Sequence, residues 1–404
     1  MRRIVLGHPF GNENVRQALV ALSNAGVLES FVTTICAEHV PFLSSLPGNL
    51  REEIERRSFK VPPSDHIKSH PFKEVLRLLT SRVAHTLPAI RAFGPTVDDI
   101  WQSLDVHLTV EARRHEKNGL AVYAYEDGAL STFSALPGVR KIYELPIGYW
   151  KSMHRLFMEE RTLNPDWAVT LAGLSDPPEK LKRKDAELEL SDQIIVPSEF
   201  VKSTLPEHWA AKANIVQYGC PSPTKIRISA THNKGPLRAL FCGSLGQRKG
   251  ISYLFNAIER MGRHVELTVI GSEVAPCPSL QHALEKTTWH RSLPHARVLE
   301  LMQSHDVLVF PTLFEGRALV VLEALSQGLP VITTAHSGAT DVVISGQSGF
   351  LIPIRSTDAI VEALETLYDN RDLLDYMKEQ ARVIAAATSW ESYRANLLSA
   401  LALT

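Results

Sequence analysis

Short apolar runs alternate with amphipathic segments along most of the chain. The runs that predict strands are residues 3–7, 31–36, 121–125, 141–145, 193–197, 214–218, 237–242, 265–271, 306–311, 330–334 and 350–353. Between them, apolar residues recur with the period of an amphipathic helix, as at Ile251, Leu254 and Ile258. Strands that alternate with helices in this way indicate parallel sheets, and we therefore predict an α/β fold.

The strand runs fall into two sets, which predicts two domains in a chain of 404 residues. A stretch rich in Pro, Ser and Gly over 219–236 separates the sets, and we place an interdomain linker there. An N-terminal domain would then cover 1–218 and a C-terminal domain 237–387. Ligands of doubly wound sheets bind beyond the carboxyl ends of the strands, so we expect the site in the cleft between the domains.

Composition narrows the class of protein. With 44% hydrophobic residues, 22% charged residues and a formal net charge of −1, the chain has no overall attraction to nucleic acid. Gly7 and Pro9 interrupt the first apolar run, so we interpret it as a strand and not as a signal peptide. The scattered cysteines are Cys36, Cys220, Cys242 and Cys277. They predict reduced core residues in a reducing compartment, and we expect a cytoplasmic location, with the inner face of the membrane as a further option.

One run in the C-terminal third carries the strongest chemical signal. Glu315 and Glu323 stand on either side of seven residues, and Glu323 lies within an apolar stretch that predicts a buried helix. A buried carboxylate needs a fixed partner. The free N–H groups at the start of this helix, close to Gly316, form a natural seat for phosphate. The alternative is an amphipathic core helix with a chance glutamate at each end.

The loop after the run 237–242 combines three glycines with two basic residues. It spans Gly243 to Gly250, with Ser244 at its start and Arg248 and Lys249 at its end. Glycines let backbone N–H groups approach a phosphate, and the two cations would neutralise its charge. A solvated basic loop with no ligand is the alternative.

These motifs resemble those of the family-4 retaining glycosyltransferases with the GT-B fold. The run 315–323 resembles the family's Glu–seven residues–Glu signature, and 243–250 is similar to its Gly-x-Leu…Lys-Gly loop. Segments 191–198, 306–312 and 337–341 resemble further family motifs. Residues 389–391 resemble the start of a last helix, so that 388–404 would pack back onto the first domain. The match is strong over roughly 180–400 and weak in sequence before that.

The resemblance implies two Rossmann-like doubly wound domains and a nucleoside-diphosphate sugar as the donor. Glu323 would hold the ribose, and Glu315 would contact the transferred sugar and act in catalysis. The residues implied to bind the donor are Gly243, Ser244, Arg248, Lys249, Arg317, Ala318, Leu319 and Glu323. Arg317 replaces a residue that is often Phe in the family, and it would contact phosphate or sugar, or be simply exposed.

The N-terminal domain departs more from the family. Many members carry a His after the strand aligned with 141–145, whereas this chain has Glu144, and Glu144 or Tyr149 would replace that contact. The family's Gly-Gly loop after the first strand is reduced to Gly11, followed by Asn12. The residues that we predict to contact the acceptor or the sugar are His8, Gly11, Asn12, Glu126, Asp127 and Glu144. For His8, Glu126 and Asp127, a capping or turn role is the alternative.

No Asp-x-Asp motif occurs, so we predict that protein cations, and no metal, neutralise the donor phosphates. The acceptor would be a glycan or a lipid-linked glycan, as in bacterial cell-surface synthesis. Residues 70–93 predict a basic amphipathic helix that could lie on an anionic membrane, or one packed on the core with a solvated basic face. A phosphorylase or epimerase on the same fold and a non-catalytic GT-B binding subunit stay open as alternatives.

Overall fold

The computed structural model describes residues 3–40, 48–55, 57–59, 61, 63–83, 94–116, 119–171, 173–223 and 235–402. Two all-parallel sheets organise them, one in each half of the chain. The predicted linker 219–236 falls between the two sheets, and its residues 224–234 lie outside the described part of the chain.

The first sheet has seven strands in the order β3-β2-β1-β4-β5-β6-β7. They are β1 (Arg3–Gly7), β2 (Leu28–Thr33), β3 (Ile67–Ser69), β4 (Leu120–Tyr125), β5 (Arg140–Glu144), β6 (Gln193–Val196) and β7 (Ala213–Ile215). The helices of this half are α1 (Glu13–Asn24), α2 (Gly48–Glu55), α3 (Phe72–Val83), α4 (Val97–Arg114), α5 (Leu130–Ala135), α6 (Trp150–Leu163), α7 (Pro178–Leu190), α8 (Glu199–Thr204) and α9 (Glu207–Ala210). All six residues of β4 are buried, as expected of a central strand with helices on both faces.

The second sheet has six strands in the order β10-β9-β8-β11-β12-β13. They are β8 (Leu237–Cys242), β9 (Val265–Ile270), β10 (Thr288–His290), β11 (Val307–Phe310), β12 (Val331–Thr334) and β13 (Gly349–Ile352). The helices are α10 (Ile251–Met261), α11 (Pro278–Leu284), α12 (His295–Ser304), α13 (Leu319–Ser326), α14 (Thr357–Asp369), α15 (Arg371–Ala387) and α16 (Trp390–Ala400). Since the strands are parallel, the loops after β8 and β11 emerge at the same edge of this sheet.

The strand predictions are correct in the interior of each sheet and incomplete at the edges. The predicted run 31–36 forms β2 three residues earlier, over Leu28–Thr33. The edge strands β3 and β10 escaped prediction, because three residues are too few to show a period.

Helix α16 returns to the first half of the chain and packs against α1. The Tyr393 hydroxyl donates to the backbone oxygen of Asn14 at 3.4 Å, and Arg394 donates to Gln17 at 2.5 Å. Where the chain passes from the first sheet toward the second, Cys220 donates its N–H to the Thr388 carbonyl at 2.6 Å. These contacts hold α16 and the residues just before it against the first half of the chain.

Helix α6 and the turn after it leave the first half and lie against the second. Phe157 and Leu171 share a buried cluster with Phe314, which follows β11. Trp167 stacks on Phe255 of α10, with ring centroids 6.0 Å apart. The sequence pattern did not predict this bridge, because the amphipathic period of α6 does not reveal which domain its apolar face contacts.

Candidate functional site

The loop after β8 places two cations at the edge of the second sheet. Gln247–Lys249 form one turn of 3₁₀ helix, and Gly250 ends it in a left-handed conformation with φ of 68°. A Cβ at Gly250 would lie 2.1 Å from the Pro311 carbonyl oxygen, so only glycine lets the loop pack this closely on the end of β11. The position of Arg248 and Lys249 is therefore fixed by their neighbours on both sides.

Arg248 and Lys249 converge on Glu315. Arg248 Nη1 donates to Glu315 Oε1 at 2.8 Å and to the Phe314 carbonyl at 3.0 Å, and Lys249 Nζ donates to the same Glu315 oxygen. Lys249 also lies over the ring of Phe310, 4.9 Å from its centroid. Burial lowers the pKa of Lys249, and Glu315 partly opposes that shift. Two cations thus face one carboxylate, and the cluster keeps a net positive charge.

The start of α13 lies directly after this cluster. Ala318 donates its N–H to the Ser337 carbonyl at 2.9 Å, so its amide already has an acceptor. Leu319 and Val320 are the first helical residues, and their N–H groups have no acceptor within the helix. The predicted phosphate seat is therefore shifted toward Leu319 and Val320.

Arg317, for which the sequence left two alternatives open, is held by other parts of the protein. Its side chain is buried, so the alternative that it is simply exposed is wrong. It forms a bidentate pair with Asp341, at 2.5 and 2.8 Å, and donates to the backbone oxygens of Tyr218 and Gly338 at 3.0 Å. Arg317 thus joins the residues that precede the linker to the turn after β12, and these contacts use four of the five N–H donors of its guanidinium.

Glu323 projects from α13 and is only partly buried, with 23% of its side chain exposed. The predicted fixed partner is present, since Glu323 Oε1 lies 2.9 Å from His295 Nε2 at the start of α12. Burial raises the pKa of the Cys242 thiol to about 12, with a further increase from Glu323 and a decrease from Lys249. Glu323 and Lys249 therefore both lie close enough to Cys242, the last residue of β8, to shift the pKa of its thiol.

In the first half of the chain, His8 directly follows β1 as a buried neutral ring. Its Nδ1 accepts hydrogen bonds from the N–H groups of Phe10 and Gly11 at 3.1 and 3.0 Å, so Nε2 carries the proton. Burial lowers the pKa of His8 to about 3. Gly11 has φ of 65°, and Asn12 precedes α1 as an exposed residue whose side chain does not cap the helix. His8 thus has the capping role that the sequence left open. Its Nε2–H group is a hydrogen-bond donor.

Glu126 and Asp127 follow β4 and pair with the cations of α7. Glu126 lies 3.0 Å from Lys184, and Asp127 lies 3.5 Å from both Lys184 and Arg183. Burial raises the pKa of Glu126, and Lys184 partly opposes that shift. Asp127 adopts φ of 75° at the turn, in keeping with the turn role left open by the sequence. A sugar hydroxyl would have to compete with these ion pairs.

Glu144, at the end of β5, is enclosed by tyrosines. Its carboxylate accepts from the Tyr123 hydroxyl and from the Tyr218 hydroxyl, the latter at 2.9 Å. Burial raises the pKa of Glu144 to about 7, although these hydroxyl contacts oppose the shift. Tyr149, the other predicted replacement for the family's His, donates its hydroxyl to Asp185 at 2.8 Å. Contact of either residue with a sugar would require these hydrogen bonds to be exchanged.

Sequence reasoning missed three residues in and beside the loop 243–250. Gln247, Glu160 and Thr170 form a hydrogen-bonded group there, with Glu160 and Thr170 contributed by α6 and the turn after it. Gln247 lies inside the predicted loop, but it is neither a cation nor a glycine, so the sequence did not single it out. Glu160 lies almost ninety residues away, where no motif marks it.

The fold can now be assigned. Two parallel doubly wound sheets whose last helix returns to the first half make the GT-B fold, and solved structures share it over nearly the whole chain. Sucrose-phosphate synthase from Thermosynechococcus elongatus aligns with a TM-score of 0.67 and 17% identity over 99% of this chain and 98% of that one. HepE from Anabaena, in complex with UDP and glucose, aligns with a TM-score of 0.56 and 13% identity over 100% of both chains.

Residues 223–384, in the second half of the chain, match the model of glycosyl transferases group 1. An uncharacterized glycosyltransferase from Methanocaldococcus jannaschii, MJ1178, is 25% identical over 211 residues, which are 50% of this chain and 56% of that protein. The chain spans about half the length of the curated relatives that it matches.

Proposed function

We propose that this protein is a retaining glycosyltransferase that moves a sugar from a nucleoside-diphosphate sugar to a hydroxyl acceptor. One observation carries the proposal: Arg248 and Lys249 converge on Glu315 at the carboxyl edge of the second sheet, directly before α13. Glu323 lies eight residues further on, where it affects the same end of β8. A family of glycosyl transferases and a structural neighbour with bound UDP and glucose support this reading.

The charge of the cluster suggests how the donor engages it. In the ligand-free protein, Glu315 neutralises part of the charge on Arg248 and Lys249. A diphosphate would compete for the two cations, assisted by the N–H groups of Leu319 and Val320. Glu315 would then be released to accept hydrogen bonds from the hydroxyls of the transferred sugar. Glu323 would accept from the ribose hydroxyls, with His295 beside it.

The reaction requires few protein groups beyond these. The bond between the anomeric carbon and the diphosphate oxygen breaks, and the acceptor oxygen bonds to that carbon on the same face. The acceptor's proton passes to the departing phosphate oxygen. Glu315 would stabilise the positive charge that develops on the sugar ring, and Arg248 and Lys249 the negative charge on the phosphate. Because two cations and a helix start are available for the phosphate, we propose that no metal is needed.

A glycan or lipid-linked acceptor is proposed, and α3 suggests where a membrane would contact the protein. Its outward stripe is apolar, with Phe72, Val75, Leu76 and Leu79 exposed and Lys73 beside them. Glu74 is buried and paired with cations, so it adds no exposed negative charge. The rest of the predicted helix, 84–93, lies outside the described residues.

We therefore propose that α3 touches an anionic membrane. Wild-type protein should co-sediment with phosphatidylserine vesicles at low salt, and Leu76→Glu should release it. Wild-type protein that stays in the supernatant would overturn the membrane contact.

The activity is tested by thermal stabilisation with UDP, GDP, ADP and CMP, each in EDTA and in Mg²⁺. A ligand at 100 times its Kd adds about 2.7 kcal/mol to the free energy of unfolding. We expect one nucleoside diphosphate to stabilise the protein in EDTA. Its sugar conjugate should then give a transferred product with the anomeric configuration kept, whereas phosphorolysis or an isomerised sugar would favour the phosphorylase or epimerase. No stabilisation by any nucleotide would favour a non-catalytic subunit.

A further inference from the structure

A second buried carboxylate stands on the other side of the loop 243–250, which we call the donor loop. Glu160, near the end of α6, is fully buried. Its Oε1 accepts from Gln247 Nε2 at 2.8 Å, from Asn164 at 2.7 Å and from the Tyr253 hydroxyl at 2.9 Å, while Oε2 accepts from Arg355 at 2.8 Å. The carboxylate thus gathers groups from the donor loop, from α10 and from the turn after β13. Such a fully satisfied polar group fixes one geometry among its partners.

Gln247 is held at its backbone as well as its side chain. Its N–H donates to Thr170 Oγ1 at 2.9 Å, and its side-chain oxygen accepts from the Ser252 N–H at 3.1 Å. A Cβ at Gly246 would lie 2.9 Å from the Thr170 carbonyl oxygen, so the two segments are in close contact there as well. Residues 160 and 170 therefore hold the loop from outside the second sheet.

The residues that these contacts fix come just before the two cations. Gln247 is followed by Arg248 and Lys249 in the same 3₁₀ turn, and the Arg248 carbonyl accepts from the Leu313 N–H at 2.8 Å. A displacement of Gln247 would move both cations relative to Glu315. We propose that Glu160 is a positioning residue for the diphosphate subsite and that it acts through Gln247, an inference that rests on the proposed donor site.

Helix α6 also connects this subsite to the end of the first sheet. It begins directly after the 146–149 loop, where a Cβ at Gly316 would lie 1.6 Å from the Pro146 carbonyl oxygen and one at Gly148 would lie 2.5 Å from the Phe314 ring. The loop that leads into the helix therefore contacts the residues on both sides of Glu315. The placement of α6 would control affinity for the phosphates and leave the nucleoside end, at Glu323, unaffected.

Glu160→Gln tests this role, because it keeps the side chain's size and removes the charge that orders Arg355 and Gln247. The probes are the nucleoside diphosphate that binds wild-type protein, from UDP, GDP and ADP, and the matching monophosphate, each titrated calorimetrically. We expect at least a tenfold loss of diphosphate affinity and less than a twofold change for the monophosphate. Glu159→Gln is the matched control: Glu159 is exposed and pairs with the same Arg355 at 3.0 Å, so both affinities should stay within twofold.

Thr170→Val serves if Glu160→Gln does not fold. It removes only a hydroxyl that accepts from Gln247 and donates to the Trp167 carbonyl, and we expect a three- to fivefold loss confined to the diphosphate. Folded variants with wild-type affinities, or with equal losses for both nucleotides, would overturn the positioning role. Wild-type protein that binds no diphosphate would overturn the proposed function, and this inference with it.

Discussion

Glu315 and Glu144 are both buried carboxylates at the carboxyl edge of a parallel sheet, and their surroundings differ in kind. Glu315 faces two cations, Arg248 and Lys249, whose charge exceeds its own. Glu144 faces the neutral hydroxyls of Tyr123 and Tyr218, so that burial raises its pKa to about 7. An anionic ligand could take over the partners of Glu315, but those of Glu144 offer it no charge. A buried carboxylate alone therefore does not indicate a binding site for an anion. Cations that an anionic ligand can take over from that carboxylate do.

The largest effect is expected from Glu315→Gln. Sugar transfer should fall about 10²–10³-fold, the scale for losing one group that stabilises the transition state. Binding of the nucleoside diphosphate should stay the same or tighten, because Arg248 and Lys249 lose their internal competitor. Steady-state kinetics and calorimetry on the same preparation measure the two effects. If diphosphate affinity fell in parallel with transfer, that result would contradict the claim that the diphosphate competes with Glu315 for Arg248 and Lys249.

Glu144→Gln should change the free energy of unfolding relative to wild type by an amount that depends on pH. The folded-state pKa of about 7 lies above the ordinary value of 4.5, so the stability contributed by the neutral form is present below pH 4.5 and is lost as pH rises through 7. The variant stays neutral and should gain up to about 3 kcal/mol on wild type between pH 4.5 and 8. Urea unfolding at both pH values measures the difference. Glu187, whose pKa burial raises to about 8, is common to both proteins and cancels. A difference independent of pH would mean that Glu144 ionises freely in the fold.

Glu323→Ala probes the nucleoside end of the proposed donor site. We expect nucleotide affinity to fall by about 1–3 kcal/mol, the scale of a lost hydrogen bond to a charged group. Nucleoside and diphosphate should lose similar factors, because the change affects the ribose and not the phosphates. Unchanged affinity in a folded variant would remove Glu323 from the site.

The smallest effect is expected from His295→Ala. With 66% of its side chain exposed, the His295 pair with Glu323 should contribute no more than about 0.5 kcal/mol to the free energy of unfolding. Thermal unfolding of the variant near neutral pH measures this. A loss of several kcal/mol would mean that α12 depends on this contact.

The sequence predicted the interior of both sheets, because those strands follow from local patterns of apolar residues. It did not predict that Arg248 and Lys249 pair with Glu315. It could not predict that Arg317 pairs with Asp341, since the choice between ligand and protein partners depends on a turn 24 residues away. Nor could it predict Glu160, whose role arises from tertiary contact alone.

The residues predicted to contact the acceptor were harder to interpret for a related reason. Glu126 and Asp127 were predicted from their place at a strand end, but their charges are paired with cations of α7, which no local pattern connects to them. The domain boundaries and the roles of the individual site residues remain predictions.

The central claim is that Lys249 and its neighbours form a phosphate subsite that needs no metal, and calorimetric titration of Lys249→Met tests it most directly. Methionine keeps an apolar contact with Phe310 and removes the charge. In EDTA, we expect wild type to bind one nucleoside diphosphate and the variant to bind it 10–100-fold more weakly, which matches the loss of a charged hydrogen bond. Equal affinities, or wild-type binding that appears only with Mg²⁺, would contradict the claim.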